Sequence, residues 1–211
     1  MNNPFSQTKI STSKLDMMEY IGSLPTDIQA GLQSGSLKLV DSVIYSSKFL
    51  GGSTTKELML SSDNQKEGVT NLNNRKLEAL QYFVLSGIRL LSANVAAEAA
   101  DGVQAVEDVT DINAVAGLEF GEINKHVANG ELEILVSGKT AYPRNSNQVF
   151  VGNFDVMPGY YELANPRLIA PQSEIVPTLR LNESYAAKLK AEGIDDVAVR
   201  IELIGTRIIP A

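Results

Sequence analysis

Residues 197–210 read VAVRIELIGTRIIP, and their alternation decides the fold. Val197, Val199, Ile201 and Leu203 fall on one side of an extended chain, while Ala198, Arg200, Glu202 and Ile204 fall on the other. A period of two is the mark of a strand that turns one face to a core. Upstream, Tyr160 to Leu163, Arg167 to Ile169 and Glu174 to Leu181 read as further short strands, separated by Asn165, Pro166 and Pro171. The last fifty residues therefore belong to a sheet, and no catalytic motif accompanies them.

Working outward, Gln81 to Leu91 (QYFVLSGIRLL) is the strongest apolar run. Both of its faces are apolar, which predicts a central strand, and Gly87 inside it marks a bulge or a close backbone approach. Leu37, Leu39 and Val43 open a first strand that ends before Gly51, Gly52 and Ser53. Lys56 to Leu60, Glu131 to Ser137 and Val149 to Phe154 read as further strands, with a turn at Gly138. Ser61 to Asn74 is a polar surface loop. Two short helices precede the sheet, Leu15 to Ile21 and Pro25 to Leu32, the second opened by Pro25 and closed near Gly31. Met1 to Lys14 is an Asn-, Ser- and Thr-rich arm whose sizeable apolar residues are Phe5 and Ile10. Turn signals throughout, with no βαβ rhythm, predict a mainly β chain: an antiparallel sandwich or barrel. The expected organisation is an arm with short helices over residues 1–35 and one β domain over 36–211.

Composition narrows the chemistry. The 211 residues carry 44% hydrophobic and 20% charged side chains, which suits one folded domain with a sizeable core. A net charge of −7 gives no general attraction to nucleic acid or to an anionic membrane. Much of the acidity is local: from Ser92 to Glu133 nine acids face the single Lys125, a charge of −8. Ser92 to Gly117, alanine-rich and acidic, reads as one or two helices or as a long insertion between strands. With no cysteine and His126 as the only histidine, thiol chemistry, disulfides and multi-histidine metal sites are excluded. Neither a signal-peptide pattern nor an apolar run of spanning length is present, so a soluble protein made in the cytoplasm is expected.

Candidate sites are few. His126, in acidic company, suits a base or a lone ligand but reads better as a surface or turn histidine. Asp101, Glu107, Asp108 and Asp111 supply carboxylates for a hard cation, yet their spacing does not fit a calcium loop, and a solvated acidic face is the simpler account. Gly51 and Gly52 lack the rest of a phosphate loop, and no serine sits in a nucleophile elbow. Two carboxylates facing one cleft need no motif, so 25 acids neither argue for such an enzyme nor against it. Tyr142, Phe150, Phe154, Tyr160 and Tyr161 form an aromatic group that suits a carbohydrate-contacting loop, a protein interface or plain strand packing. Arg144, Arg167, Arg180, Arg200 and Arg207 are spaced for salt bridges across a subunit boundary, for contact with a phosphate backbone, or simply for solvent-facing strand positions.

Tyr160, Glu162, Leu163, Asn165, Pro166, Arg167, Leu168, Ile169, Pro171, Glu174 and Ile175, followed by VAVRIELIGTRIIP, resemble the closing strands of jelly-roll capsid proteins of tailless icosahedral bacteriophages. The resemblance implies eight strands in two facing four-stranded sheets, an N-terminal arm or helix that reaches under a neighbour or toward the particle interior, and long inserted loops that face outward. It also implies a structural virion protein, not an enzyme and without a cofactor, made in the host cytoplasm and assembled with copies of itself and other virion proteins. Phe5 and Ile10 would anchor the arm, and Met17 and Met18 would be adaptable assembly contacts. Lys9 and Lys14 are the arm's only basic residues, which disfavours direct nucleic-acid contact. The competing expectation is a carbohydrate- or receptor-binding sandwich of fibre or adhesin type, with Tyr142, Tyr160 and Tyr161 as stacking platforms.

Overall fold

The computed structural model describes residues 14, 16–96, 112, 118–151 and 157–211. Eight strands are described: β1 (Leu37–Phe49), β2 (Thr55–Glu57), β3 (Phe83–Ala96), β4 (Glu131–Val136), β5 (Lys139–Ser146), β6 (Tyr160–Ile169), β7 (Ile175–Arg180) and β8 (Ile194–Pro210). They form two four-stranded sheets, the first ordered β1-β8-β3-β6 and the second β2-β7-β4-β5. Every ladder is antiparallel.

The pairing has a simple logic. β4 pairs with β5, β3 with β6, β2 with β7 and β1 with β8, as in one long ribbon folded back on itself. Its fold-back point is Ser137-Gly138, both residues at positive φ (48° and 75°), the backbone that a two-residue hairpin demands. Rolling the ribbon sends alternate pairs to opposite sheets, and β8 then meets β3 while β7 meets β4. The result is an antiparallel sandwich of jelly-roll wiring with a few short helices.

The core lies between the sheets. Val197, Val199, Ile201 and Leu203 point into it, completely buried, and meet Ile134, Leu179 and Phe150 there. Each such side chain contributes about 1.5–3 kcal/mol. Tyr142, Phe150 and Tyr161 pack as a trio with ring centroids 5.9–6.5 Å apart, two of the three contacts edge-to-face.

β3 is central, between β8 and β6, and Gly87 performs both of its expected roles. Both ladders shift register between Leu85 and Gly87, and a Cβ at Gly87 would overlap the phenol of Tyr160. Several boundaries differ from the sequence reading. The second helix passes through Gly31 and ends at Ser34, because Gly31 makes room for Leu37, whereas Gly35 takes the left-handed backbone (φ 76°) that stops a helix. β3 runs through Ala96, so residues 92–96 of the stretch read as an acidic insertion belong to a strand; the rest of that stretch, apart from Ile112, lies outside the described residues. Val149 to Phe154 is not a strand as far as it is described: Asn147–Phe150 is a 3-10 turn, residue 151 is a bend and 152–156 lie outside the described residues. The two segments around Asn165-Pro166 form one strand, β6, whose residues 163–166 bulge opposite Ser86. The arm up to residue 13 lies outside the described residues.

Three helices are labelled α1 (Thr26–Ser34), α2 (Lys125–Ala128) and α3 (Tyr185–Ala191); residues 16–20 are also helical. The sequence reading had no counterpart for α3, whose Tyr185 and Leu189 close the end of the core.

Gly205 lets β8 and β3 approach: a Cβ there would overlap the Val84 carbonyl oxygen. Gly205→Ala is expected to cost at least about 2 kcal/mol in urea unfolding. Gly138→Ala, where nothing lies within 4 Å of the added carbon, is expected to cost about 1 kcal/mol, from its positive φ alone.

Candidate functional site

The outer face of the first sheet is the surface on which the chain spends its extra segments. At one end, Met17, Leu24 and Ile28 of the helical lead-in lie on Val84 and Ile208, and Tyr20 donates its hydroxyl to the Pro166 carbonyl at 2.6 Å. At the other end, Ala93 on β3 faces Ala198 on β8, and Ile112 packs on these two small side chains with Phe49, Leu118 and Phe120 beside it.

Between the two apolar ends runs a polar belt. The Arg200 guanidinium lies 4.1 Å from the centre of the Tyr45 ring and 6.0 Å from that of Phe120. Its Nε donates to Glu202 at 2.8 Å and its Nη1 to the Gly68 carbonyl at 3.3 Å. The second oxygen of Glu202 accepts from Arg89 Nη1 at 3.3 Å, and Arg89 Nε donates to the Pro158 carbonyl at 2.8 Å. One carboxylate thus holds two guanidinium groups that pin three separate loops to the sheet. Cation–π contact adds about 0.5–2 kcal/mol at such half-buried sites.

The proposed assembly residues separate. Met17 is fully buried under its own helix, which removes it from the surface, whereas its neighbour Met18 is 58% exposed. Adjacent helical residues point about 100° apart, so only one of the pair can face the sheet. Phe5 and Ile10 lie outside the described residues, as do Asp101, Glu107, Asp108 and Asp111. Among the described residues no group of three His, Asp or Glu side chains is placed to hold a metal ion.

His126 is a tie between helices. Its amide donates to the capping Asn124 Oδ1 at 2.8 Å, and its Nε2 lies 3.1 Å from Glu192 Oε1, just past the end of α3. Lys125 Nζ reaches the same oxygen at 2.7 Å. Hydrogen bonding to Lys125 holds the Glu192 carboxyl below its usual range against the opposing effect of desolvation, and a weaker hydrogen bond to His126 adds to the lowering.

The tyrosines are not platforms. Tyr142 is enclosed in the aromatic trio, Tyr161 is half-buried against it, and Tyr160 is sunk over Gly87. Burial, with Glu162 and Asp16 nearby, pushes the Tyr160 phenol up to about 12. Phe154 lies outside the described residues. Of the arginines, Arg144 pairs with Glu131 (3.7 Å) and Arg180 with Glu133 (3.3 Å) on the outer face of the second sheet. Arg167 is exposed, and Arg207 is half-buried with its pKa lowered by burial.

Asp196 escaped the sequence reading because nothing local distinguishes it from its exposed neighbour Asp195. It enters β8 buried, and both carboxylate oxygens accept from the Gly51 amide (3.0 and 3.1 Å) while Oδ1 also accepts from Val197 (2.7 Å). Burial raises its carboxyl pKa in spite of these bonds.

Met17→Ala is expected to destabilise by about 2–5 kcal/mol in urea unfolding, the range for emptying a core site, and Met18→Ala by less than about 0.5 kcal/mol. A carboxyl whose folded pKa is raised costs stability when ionised, and that cost vanishes as pH falls through the folded pKa. Asp196→Asn is therefore expected to melt at or above the parent chain at neutral pH, with the difference shrinking in acid. Asp196→Ala, which removes the acceptor shared by the buried Val197 amide and the amide of the exposed Gly51, is expected to cost about 1–3 kcal/mol.

No protein-family model matches the sequence, and no curated protein matches it either.

Proposed function

We propose that this chain is a structural shell subunit, a virion protein whose copies assemble into a closed icosahedral particle of the kind its closing strands resemble. The strand wiring carries this reading. Jelly-roll sandwiches serve in capsids, lectins and cupins. The tyrosines that a carbohydrate platform would use are committed to the core, and the lone histidine is committed to Glu192, which favours the first of these three uses.

Edge chemistry supports the same reading. An exposed strand edge invites open-ended pairing, which gives fibres instead of closed shells. Here β2 has three residues, β5 carries Pro143 between Lys139 and Arg144, and β6 carries Pro166 in its bulge. Asn71 and Val69 cover β1 from Val43 to Ser47: Asn71 donates to the Val43 carbonyl at 2.7 Å and accepts from Tyr45 at 2.9 Å, and Ser47 donates to Val69 at 2.8 Å. Contacts between copies then fall to sheet faces, loops and the N-terminal segment, where rotation about a fixed axis can close. Many such contacts, each weak, make a cooperative shell.

Negative-stain electron microscopy across a concentration and salt series, with light-scattering mass on the same samples, tests the proposal. Rings, sheets or shells that grow with concentration are the expected outcome. A strictly monomeric 22.8 kDa species under all conditions would count against it.

A further inference from the structure

Three segments far apart in the chain meet the polar belt on the outer face of the first sheet: the turn at Gly68, the stretch at Phe120 and the stretch at Pro158. Each also has a main-chain bond to that sheet. The Ser47 amide donates to the Val69 carbonyl at 2.8 Å, the Gly121 amide to the Ser92 carbonyl at 3.0 Å, and the Leu90 amide to the Gly159 carbonyl at 2.9 Å. These bonds are separate from one another, whereas the belt is common to all three segments.

The shared element is Glu202, whose side chain is only 13% exposed. Its Oε1 accepts from Arg200 and its Oε2 from Arg89, and each guanidinium uses a second nitrogen on a segment: Arg200 Nη1 on the Gly68 carbonyl, Arg89 Nε on the Pro158 carbonyl. A guanidinium is a rigid planar fork, so it cannot follow a departing carbonyl and keep its bond to the carboxylate. If Arg89 leaves with the Pro158 stretch, Oε2 loses its donor in a largely enclosed place, which is costly. The carboxylate must then turn, and turning it draws Arg200 away from Gly68 and from the rings of Tyr45 and Phe120. Val69 and Phe120 also share the apolar cluster on Ala93 and Ala198. Pro158 stands outside that cluster, and among the described residues Arg89 and Glu202 join it to the other two segments.

We propose that Glu202 makes the Gly68, Phe120 and Pro158 segments one conformational unit, so that an event which orders or releases one of them is felt at the other two. Coupling between sites is reciprocal, and a change in stiffness is enough to carry it. A contact that fixes the Pro158 stretch therefore tightens the attachments at Gly68 and Phe120 as well. This goes beyond the shell reading and concerns the single chain in dilute solution, so either can fail without the other.

The amides of Ser47, Gly121 and Leu90 report the three attachments separately. The Leu58 amide, bonded at 2.9 Å to the Pro177 carbonyl of β7, is a reference in the second sheet that follows global stability. Hydrogen exchange of the four amides is measured by NMR on the full chain, in the parent, Arg89→Met, Glu202→Gln and the two combined, with each rate taken relative to that of Leu58. Arg89→Met removes the Pro158 tie and one donor of Glu202, and touches neither Gly68 nor Phe120. The expected result is exchange faster by about tenfold or more at Ser47 and Gly121 as well as at Leu90, a tenfold change being about 1.4 kcal/mol. In the Glu202→Gln background the same change is expected to add nothing at Ser47 and Gly121. Should Arg89→Met not fold, as judged by circular dichroism, Arg89→Lys takes its place with the same expected pattern, since it keeps the charge but has one nitrogen for two acceptors. Ser47 and Gly121 unchanged while Leu90 exchanges faster, no acceleration anywhere, or equal acceleration with and without Glu202 would each overturn the proposal.

Discussion

The closing strand is the constraint on which the remainder depends. β8 pairs along its length with β1 on one side and β3 on the other, so the backbone groups of its interior residues find partners within the sheet. A buried peptide group without a partner costs as much as a lost hydrogen bond, which leaves little freedom in register. Gly205 fixes that register further, since only a residue without a side chain fits against Val84. Remove β8, and β1 has no strand neighbour, the inner layer loses Val197 to Leu203, and the helical lead-in loses Ile208 beneath it.

The two sheets solve the problem of their outer faces differently. The first is apolar at both ends and is covered by the chain's own segments, with the Arg200–Glu202–Arg89 belt holding the middle. The second is dressed in pairs such as Glu133–Arg180 and Glu131–Arg144. Exposed pairs of this kind are worth about 0–1 kcal/mol each, so they serve solubility and orientation more than stability. A chain built in this way has one outer sheet face already occupied and the other wet.

Much of the fold was legible because the strands obey strict local rules. The alternation appears in the burial of β8 from Val199 to Ile204, with Ala198 buried on the opposite face under Ile112, and the all-apolar run around Gly87 is a central strand with a bulge. Where local rules are ambiguous, the reading slipped. Gly31 looked like a helix stop, but tertiary crowding by Leu37 explains it, and the true stop is four residues later. Val149 and Phe150 looked like a strand because their burial comes from a turn tucked under the aromatic trio. The site was much less legible: the Arg200 belt joins residues 45, 68, 89, 120 and 202, and the pairing of β1 with β8 spans most of the chain, so no window of sequence contains them. Met17 and Met18 are alike in composition and opposite in exposure, a distinction that depends on where the helix rests.

The Ser137-Gly138 turn also sets an order in time. Only two residues separate β4 from β5, whereas 144, numbers 50 to 193, separate β1 from β8. The entropy lost on closing a loop grows with its length, so the hairpin at the turn is the cheapest contact to make, and each pair outward closes on ends that the previous pair has drawn together. The ribbon is thus a zipper with its slider at residue 137, and its last teeth, β1 and β8, are those that create the outer floor for the lead-in helices. A chain whose zipper has stalled lacks that floor, and so the resting place of the lead-in helices comes into being only when folding is complete.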